Sequence, residues 1–380
     1  MTARTWMDYC LGMYYTRQRR FNEAEPYINR AFTSHRGEGE MPAAVLGGLA
    51  YIAFMRGKLH QAEEILQRAL GIANRVDTSA DIYTTLGMIY YQRNNLEGAV
   101  VEWKRACAPF AVPSAKGLAW LYLAGTNLIK GDIKTAGEAI EKAEKTLNTD
   151  DISAEDLARI SAFHLSVALQ ENDEEAISHW LDKLAEYEGP FLYDVPANSR
   201  HLLYQTLGCA GGNQLQSEYE CYRKEGYRYL EMGVQLERAL LSPDPQEALS
   251  FLGGVLTTAR GEDNIRIIAD AGPLVVPLLR EAIATGIEPS FGGNVLNIIK
   301  DEEHQRKVSR GELPSVSSLL SEREMEVLRL MADGLSNPEI ATRLVLSVNT
   351  VKSHVRRVLA KLETDGRVQA ITRAKELKLL

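Results

Sequence analysis

Residues 319–380 read LLSEREMEVLRLMADGLSNPEIATRLVLSVNTVKSHVRRVLAKLETDGRVQAITRAKELKLL. Three serines in this stretch stand where helices start. Ser321 is followed three residues later by Glu324. In such a capping box the hydroxyl accepts a free backbone N–H, and the carboxylate reaches back to the N–H of the cap. Met325, Val327, Leu328, Leu330 and Met331 then follow at helical spacing. Asp333-Gly334 ends that helix, with Gly334 suited to the positive φ of a C-cap. Ser336 with Glu339 repeats the box, and Pro338 sits in the first turn, where its missing N–H costs nothing. Ile340, Ala341 and Leu344 form the buried side of this second helix. Ser347 starts a third helix three residues past Leu344, the gap of a tight turn between two short helices.

The third helix, about residues 348–362, has two faces at roughly 100° per residue. Val351, Val355, Val358, Leu359 and Leu362 fall on one, and Asn349, Lys352, Ser353, Arg356 and Arg357 on the other. The second face is small or basic and holds no acid. Such a face suits a helix entering a DNA major groove, where Lys and Arg reach guanine O6 and N7, and amides and hydroxyls reach base edges or phosphates.

This segment resembles the DNA-binding domain of the LuxR family of bacterial regulators. The resemblance rests on LSEREMEVL, GLSNPEIATRL and SVNTVKSHVRRVLAKL and covers about the last sixty residues. It implies a four-helix domain whose third helix reads the major groove and whose fourth supports dimerisation. Carried over by position, Lys352, Ser353 and Arg356 become base readers. Thr350, Arg357 and the start of the second helix around Asn337 become phosphate contacts. Val368, Ile371 and Ala374 of the fourth helix become a dimer seam, or else plain core. One departure is Glu363-Thr364-Asp365 after the third helix, where the family keeps a Gly or a basic residue; two acids there weaken the expected backbone contact.

A chain of 380 residues implies two or more domains. Its 45% apolar and 25% charged content is that of an ordinary globular protein. No stretch approaches the roughly 20 apolar residues of a membrane span, and the N-terminus lacks the pattern of a signal peptide. Cys10, Cys107, Cys209 and Cys221 show neither close pairing nor metal spacing. Free buried thiols in a reducing cytoplasm are the expectation, with a Cys209–Cys221 redox pair as the minor alternative. From Pro314 onward there are 11 Lys and Arg against 8 Asp and Glu, a net charge of +3, and the preceding 313 residues carry −11. Only the C-terminal unit suits a polyanion.

The acidic body contains a repeat. Ala24, Ala62, Ala99, Ala136 and Ala176 are spaced by 38, 37, 37 and 40 residues. Four positions after each comes a large apolar residue: Ile28, Leu66, Trp103, Ile140 and Trp180. In the first four copies another alanine follows three residues later (Ala31, Ala69, Ala106, Ala143). Twelve positions before the central alanine those copies have Gly12, Ala50, Gly87 and Ala124. Turns such as RGKLHQA, RNNLEGA and KGDIKTA lie between. Each unit therefore reads helix, polar turn, helix, with small residues where the two helices cross. The pattern is that of tetratricopeptide-type repeats, which stack into a superhelix with a concave surface able to hold peptides, proteins or small molecules. The fifth copy is degenerate, with His164 and Lys183 at the small positions.

The expected fold is all-α, with no strand. Repeats occupy 1–300, clear over 1–185 and degenerate over 186–300. A linker follows at 301–316, charged, with Gly311 and Pro314 and no apolar period, and then the helix-turn-helix domain at 317–380. The tyrosines Tyr204, Tyr219, Tyr222, Tyr227 and Tyr229 read as packing between helices more than as a ligand pocket. Residues 264–299 resemble the segment preceding the DNA-binding domain in the large MalT-like regulators of the LuxR family, which join a nucleotide-hydrolysing module, a helical array and this same C-terminal domain. No GxxxxGK[ST] occurs, so that module is expected to be missing. The repeat starts within the first residues, which leaves no phosphoacceptor domain in the reading. No catalytic constellation, cofactor motif or metal-ligand spacing is evident, and His164, His179 and His201 are isolated. The expectation is a cytoplasmic, non-enzymatic regulator. It binds double-stranded promoter DNA as a homodimer, senses a protein, peptide or small molecule through the array, and has RNA polymerase as a further partner. The alternative is an interaction scaffold with a vestigial DNA-binding domain.

Overall fold

The computed structural model describes residues 3–17, 19–34, 40–73, 80–108, 111–147, 152–190, 193–309, 320–362, 364–376 and 379–380. These residues form helices and connecting turns, with no strand among them. The chain packs as two compact units. The first holds residues 1–128 and 132–282, the second 129–131 and 283–380.

In the first unit the helices run in pairs: α1 (Ala3–Arg17) with α2 (Phe21–Ser34), α3 (Glu40–Met55) with α4 (Leu59–Ile72), and α5 (Ala80–Gln92) with α6 (Leu96–Ala106). Then come α7 (Pro113–Lys130), α8 (Ile133–Leu147), α9 (Ala154–Glu171), α10 (Glu174–Ala185), α11 (Ala197–Glu225), α12 (Arg228–Leu241), α13 (Pro245–Arg260) and the short α14 (Arg266–Ala269). The repeat pattern predicts this core. Ala24, Ala62, Ala99 and Ala136 are fully buried, as are Ile28, Leu66, Trp103 and Ile140. The small residue and the large one are partners. A Cβ on Gly12 would lie 2.4 Å from Ile28 Cγ1, and one on Gly87 only 2.3 Å from Trp103 Nε1. At these crossings only hydrogen leaves room for the partner side chain.

The fifth copy departs for a physical reason. His164 stands where the others have a small residue, so Trp180 cannot enter. The two rings stack instead, 4.2 Å apart and 8° from parallel, and Trp180 stays half-buried. His164 Nε2 is also 2.9 Å from Glu144 Oε1. Past this point α11 is kinked at Gly208 (φ 54°, ψ −126°). The following helices fold back along the turns of the early repeats. Tyr227 packs edge-on to Phe21 at 4.9 Å, and Tyr229 packs on Phe54 at 4.6 Å. Tyr229 takes a hydrogen bond from Gln92 Nε2 at 2.8 Å, and Ile265 N donates to Gln92 O at 2.7 Å. The tyrosines of this region are thus interhelical packing, with Tyr204, Tyr222, Tyr227 and Tyr229 buried.

In the second unit α15 (Val276–Ala284, begun in the first) leads to α16 (Pro289–Ser309). Helix α16 corrects the sequence reading. Residues 301–309, expected as linker, continue it, because DEEHQRKVS lacks a helix breaker and Glu302 is buried. Residues 310–316 of the expected linker lie outside the described residues. Four further helices follow: α17 (Glu322–Ala332), α18 (Asn337–Leu344), α19 (Val348–Lys361) and α20 (Arg367–Glu376). The thiols also depart from expectation. Cys10, Cys209 and Cys221 are exposed rather than buried, and all four cysteines are free. Cys209 and Cys221 are both on α11 beyond its kink. Twelve residues of helix place them about 18 Å apart, too far for a disulfide.

Candidate nucleic-acid interface

Three of the last four helices, α17, α18 and α19, start at serine caps. Ser321 Oγ accepts from Glu324 N at 3.2 Å, and Glu324 Oε2 accepts from Ser321 N at 2.8 Å. The buried Glu324 carboxylate is further neutralised by Lys361 Nζ at 2.6 Å, which ties the start of α17 to the end of α19. Gly334 (φ 86°) ends α17, and Leu335 N returns to Leu330 O at 3.1 Å. Glu339 Oε2 accepts from Ser336 N at 2.7 Å at the start of α18. Ser347 Oγ caps α19 through Thr350 N at 3.0 Å. The turn between α18 and α19 pivots on Val345 in the left-handed region (φ 54°, ψ 47°), a strained backbone for a β-branched residue.

Two arginines lock the turns. Arg323 Nη2 donates to Leu344 O at 2.8 Å, and Arg367 Nη2 donates to Met331 O at 3.1 Å and also to Leu335 O. Behind them Val327, Met331, Ile340, Ala341 and Val351 form one core patch, and Leu328, Val358, Leu362, Ala370 and Ala374 another.

This scaffold presents one face of α19. Asn349, Lys352, Arg356 and Arg357 are exposed, and Ser353 and Thr350 are half-exposed. The helix contains no acid, and Lys352 and Arg356 have no ion-pair or hydrogen-bond partner among the described residues. Fourteen residues give a rod about 21 Å long, matched to the major groove. The opposite face is Val351, His354, Val358 and Leu362, all buried, with Val355 and Leu359 half-buried. His354 escaped sequence reasoning. Burial, helped by the nearby Arg357 charge, pushes its imidazole down to about 4, so it is neutral at neutral pH and adds no charge to the face. Asp301 on α16 moves the other way. Burial and the Glu324 charge push it up to about 6, while Arg357 and Lys361 act against the rise.

The remaining predicted residues divide. Asn337 is half-exposed at the N-terminus of α18. Thr350 shares a hydroxyl–hydroxyl bond of 2.8 Å with Ser347. Val368 is 77% exposed and available to a partner, whereas Ala374 is fully buried in the domain's own core and is removed from the expected seam. Ile371 is half-buried against the first core patch. Glu363 lies outside the described residues. Thr364 N donates to Leu359 O at 2.9 Å, and Asp365 is exposed. Among the described residues no group of three His, Cys, Asp or Glu is placed to hold a metal, and no helix is long and apolar enough to cross a membrane.

Comparison with known proteins places both parts. Residues 318–374 match the model of bacterial regulatory proteins, luxR family, and residues 1–205 match the MalT-like TPR region. The response regulator protein VraR of Staphylococcus aureus is 47% identical over 62 residues, 16% of this chain and 30% of VraR. VraR of Staphylococcus epidermidis gives the same figures. The chain thus spans about 30% of the length of these curated relatives. A solved structure titled Functional Characterization of Pseudomonas Aeruginosa pilF overlaps 66% of this chain and 97% of its own, with a TM-score of 0.41 and 16% identity.

Proposed function

As the chain belongs to the proteins built on the MalT-like TPR region, with a luxR-family regulatory domain at its C-terminus, we propose that it is a non-enzymatic transcription regulator. Its helix α19 reads promoter DNA in the major groove, and its repeat array receives the signal. The observation that carries this reading is the exposed face of α19, basic, free of acids, and backed by a core that leaves Lys352 and Arg356 without intramolecular partners. Lys352, Ser353 and Arg356 read base edges, with Asn349 beside them on the same face. Thr350, Arg357 and the α18 N-terminus around Asn337 hold phosphates. The protein binds as a homodimer, joined through Val368 and the exposed flank of α20. Half-sites in such dimers lie roughly 34–36 Å apart, one turn of duplex. It works in the cytoplasm, with RNA polymerase as a downstream partner.

The test is selection of DNA from a random pool by the full-length protein, with the 317–380 fragment in parallel. That fragment contains both core patches and the three serine caps. Enrichment of one two-fold motif by both supports the regulator. Enrichment by the fragment alone means that the body, at net −11, hinders DNA. No enrichment at low salt leaves the scaffold reading.

A further inference from the structure

The inner face of the array is already occupied by the chain itself. Residues 193–196, just before α11, are not helical, and there Tyr193 and Asp194 are set among side chains from four repeats. The Tyr193 hydroxyl shares a 2.6 Å hydrogen bond with the hydroxyl of Tyr51 on α3. Arg19, in the α1–α2 turn, lies over the Tyr193 ring at 5.0 Å. Asp194 Oδ2 accepts from Arg159 Nε on α9 at 2.8 Å and from the Tyr122 hydroxyl on α7 at 3.4 Å. Arg19 and Arg159 are bridged by Glu155.

We propose that this is a binding site for an extended peptide carrying an aromatic–acidic pair, filled here by Tyr193-Asp194 as an internal ligand that such a peptide displaces.

Three observations carry it. First, Asp194 is held on one oxygen only. Its side chain is 2% exposed, yet Oδ1 has no hydrogen-bond partner among the described residues. Buried polar atoms are normally hydrogen-bonded, so this oxygen is an unmet acceptor that a better-fitting ligand would not carry. Second, the receptor survives the exchange. When Asp194 leaves, Arg159 keeps Asp156 at 2.9 Å and Glu155 at 2.5 Å, so no buried charge is stranded. Third, the receptor residue Arg19 is placed against a backbone cost. The matching turns of later repeats put Gly57, Asn94 and Asn172 in the left-handed region, residues that tolerate it, but the first puts Arg19 there at φ 57°. Burial keeps the phenols of Tyr51 and Tyr122 protonated, so that they serve as donors to the incoming peptide.

The internal segment competes at the millimolar effective concentration of a short tether. Disabling it must therefore expose the site. The probe is a fluorescent synthetic peptide copying residues 187–196, YEGPFLYDVP, added to full-length protein. Tyr193→Ala/Asp194→Ala is expected to bind it at least about tenfold more tightly than wild type. Adding Arg159→Ala, or changing the peptide's Asp to Asn, is expected to reverse that gain. The milder Asp194→Asn variant keeps the shape of the segment and is expected to show several-fold tightening. A double variant that folds but binds no better overturns the proposal, as does one that no longer folds while Asp194→Asn gives no gain. In either case Tyr193-Asp194 is ordinary core. The readout is independent of DNA, so failure of the regulator reading leaves it standing.

Discussion

The pairing of glycine with a large side chain at the Gly12–Ile28 and Gly87–Trp103 crossings is tested by a single methyl group. In Gly87→Ala the new Cβ would lie 2.3, 2.5 and 2.8 Å from Nε1, Cδ1 and Cε2 of Trp103. Carbon contacts are comfortable at about 3.5–4.0 Å, so the indole must retreat by roughly 1 Å. It has nowhere to go. Trp103 is 1% exposed, lies 5.6 Å from Tyr91 and 5.1 Å from Tyr122, and donates to Thr84 O at 3.2 Å. Alanine favours the helix over glycine by about 1 kcal/mol. Against that stand overpacking at about 1–3 kcal/mol and the weakened indole hydrogen bond at about 1 kcal/mol. The net expectation is a loss of about 1–3 kcal/mol. Gly137 on α8 is the control, since a Cβ there meets nothing within 4 Å. Gly137→Ala should gain about 0.5–1 kcal/mol. Urea titration followed by circular dichroism reads both as shifts of the midpoint at constant slope. The crossing model also requires that Trp103→Leu rescue Gly87→Ala, so that the double variant loses less than the sum of the two. If Gly87→Ala shifts the midpoint upward as Gly137→Ala does, the close packing of α5 on α6 is wrong.

Three further outcomes are expected. Lys352→Ala or Arg356→Ala should lose about 1–3 kcal/mol on the selected site and little on random DNA, while Arg357→Ala should weaken all sequences and flatten the salt dependence; equal losses on both DNAs for all three, measured by fluorescence anisotropy, would leave no base reader among them. Val345→Gly should stabilise the C-terminal domain by about 0.5–1 kcal/mol without touching DNA affinity, because left-handed strain of about 1–2 kcal/mol at an exposed side chain exceeds the entropy cost of glycine; a lower unfolding midpoint would refute it. The folded His354 refuses, down to about pH 4, a proton that the unfolded chain takes up below 6.5, so its stability contribution is full above pH 6.5 and is lost as pH falls through that window. Asp301, raised to about 6, acts in the opposite sense, so the measure is the wild-type minus His354→Gln difference. It should shift by about 3 kcal/mol against wild type between pH 7 and 4, and a constant difference would mean that His354 is not buried.

What was legible in the sequence was local or periodic. A capping box spans four residues, so the starts of α17 and α18 could be read from Ser321 with Glu324 and Ser336 with Glu339. The repeat could be read because one crossing geometry recurs, and Gly12 and Gly87 show that the small position is a steric requirement. What escaped depends on partners far along the chain. Nothing in the sequence marks Lys361 as the partner of Glu324, 37 residues earlier, yet the two lie 2.6 Å apart. His354 stands at helical spacing from Val351 and Val358, but a titratable side chain at the edge of that stripe does not announce burial, which the packing of the helices decides. Residues 301–309 carry the charge and the lack of apolar period of a linker, yet helices tolerate charge well and α16 runs through them. The return of α12 onto Phe21 and Phe54 joins residues about two hundred positions apart, which no window of sequence contains.

The two proposed sites differ in how binding is linked to the fold, and this constrains how each can act. At α19 the residues that hold the helix, Val351, His354, Val358 and Leu362, are separate from those that face outward, Asn349, Lys352, Arg356 and Arg357. DNA can therefore be met by a surface already in place, with little ordering cost, and substitutions there change readout without changing stability. At the inner face of the array the same side chains do both. Arg19, Tyr51, Tyr122 and Arg159 hold Tyr193-Asp194 and, through it, join the first, second, fourth and fifth repeats. A ligand there must break those ties before it forms its own. Its observed affinity is reduced by the fraction of molecules in which the internal segment is in place, and its arrival cannot leave the array unchanged. A surface of the first kind suits a constant reader, and one of the second kind suits the input of a switch.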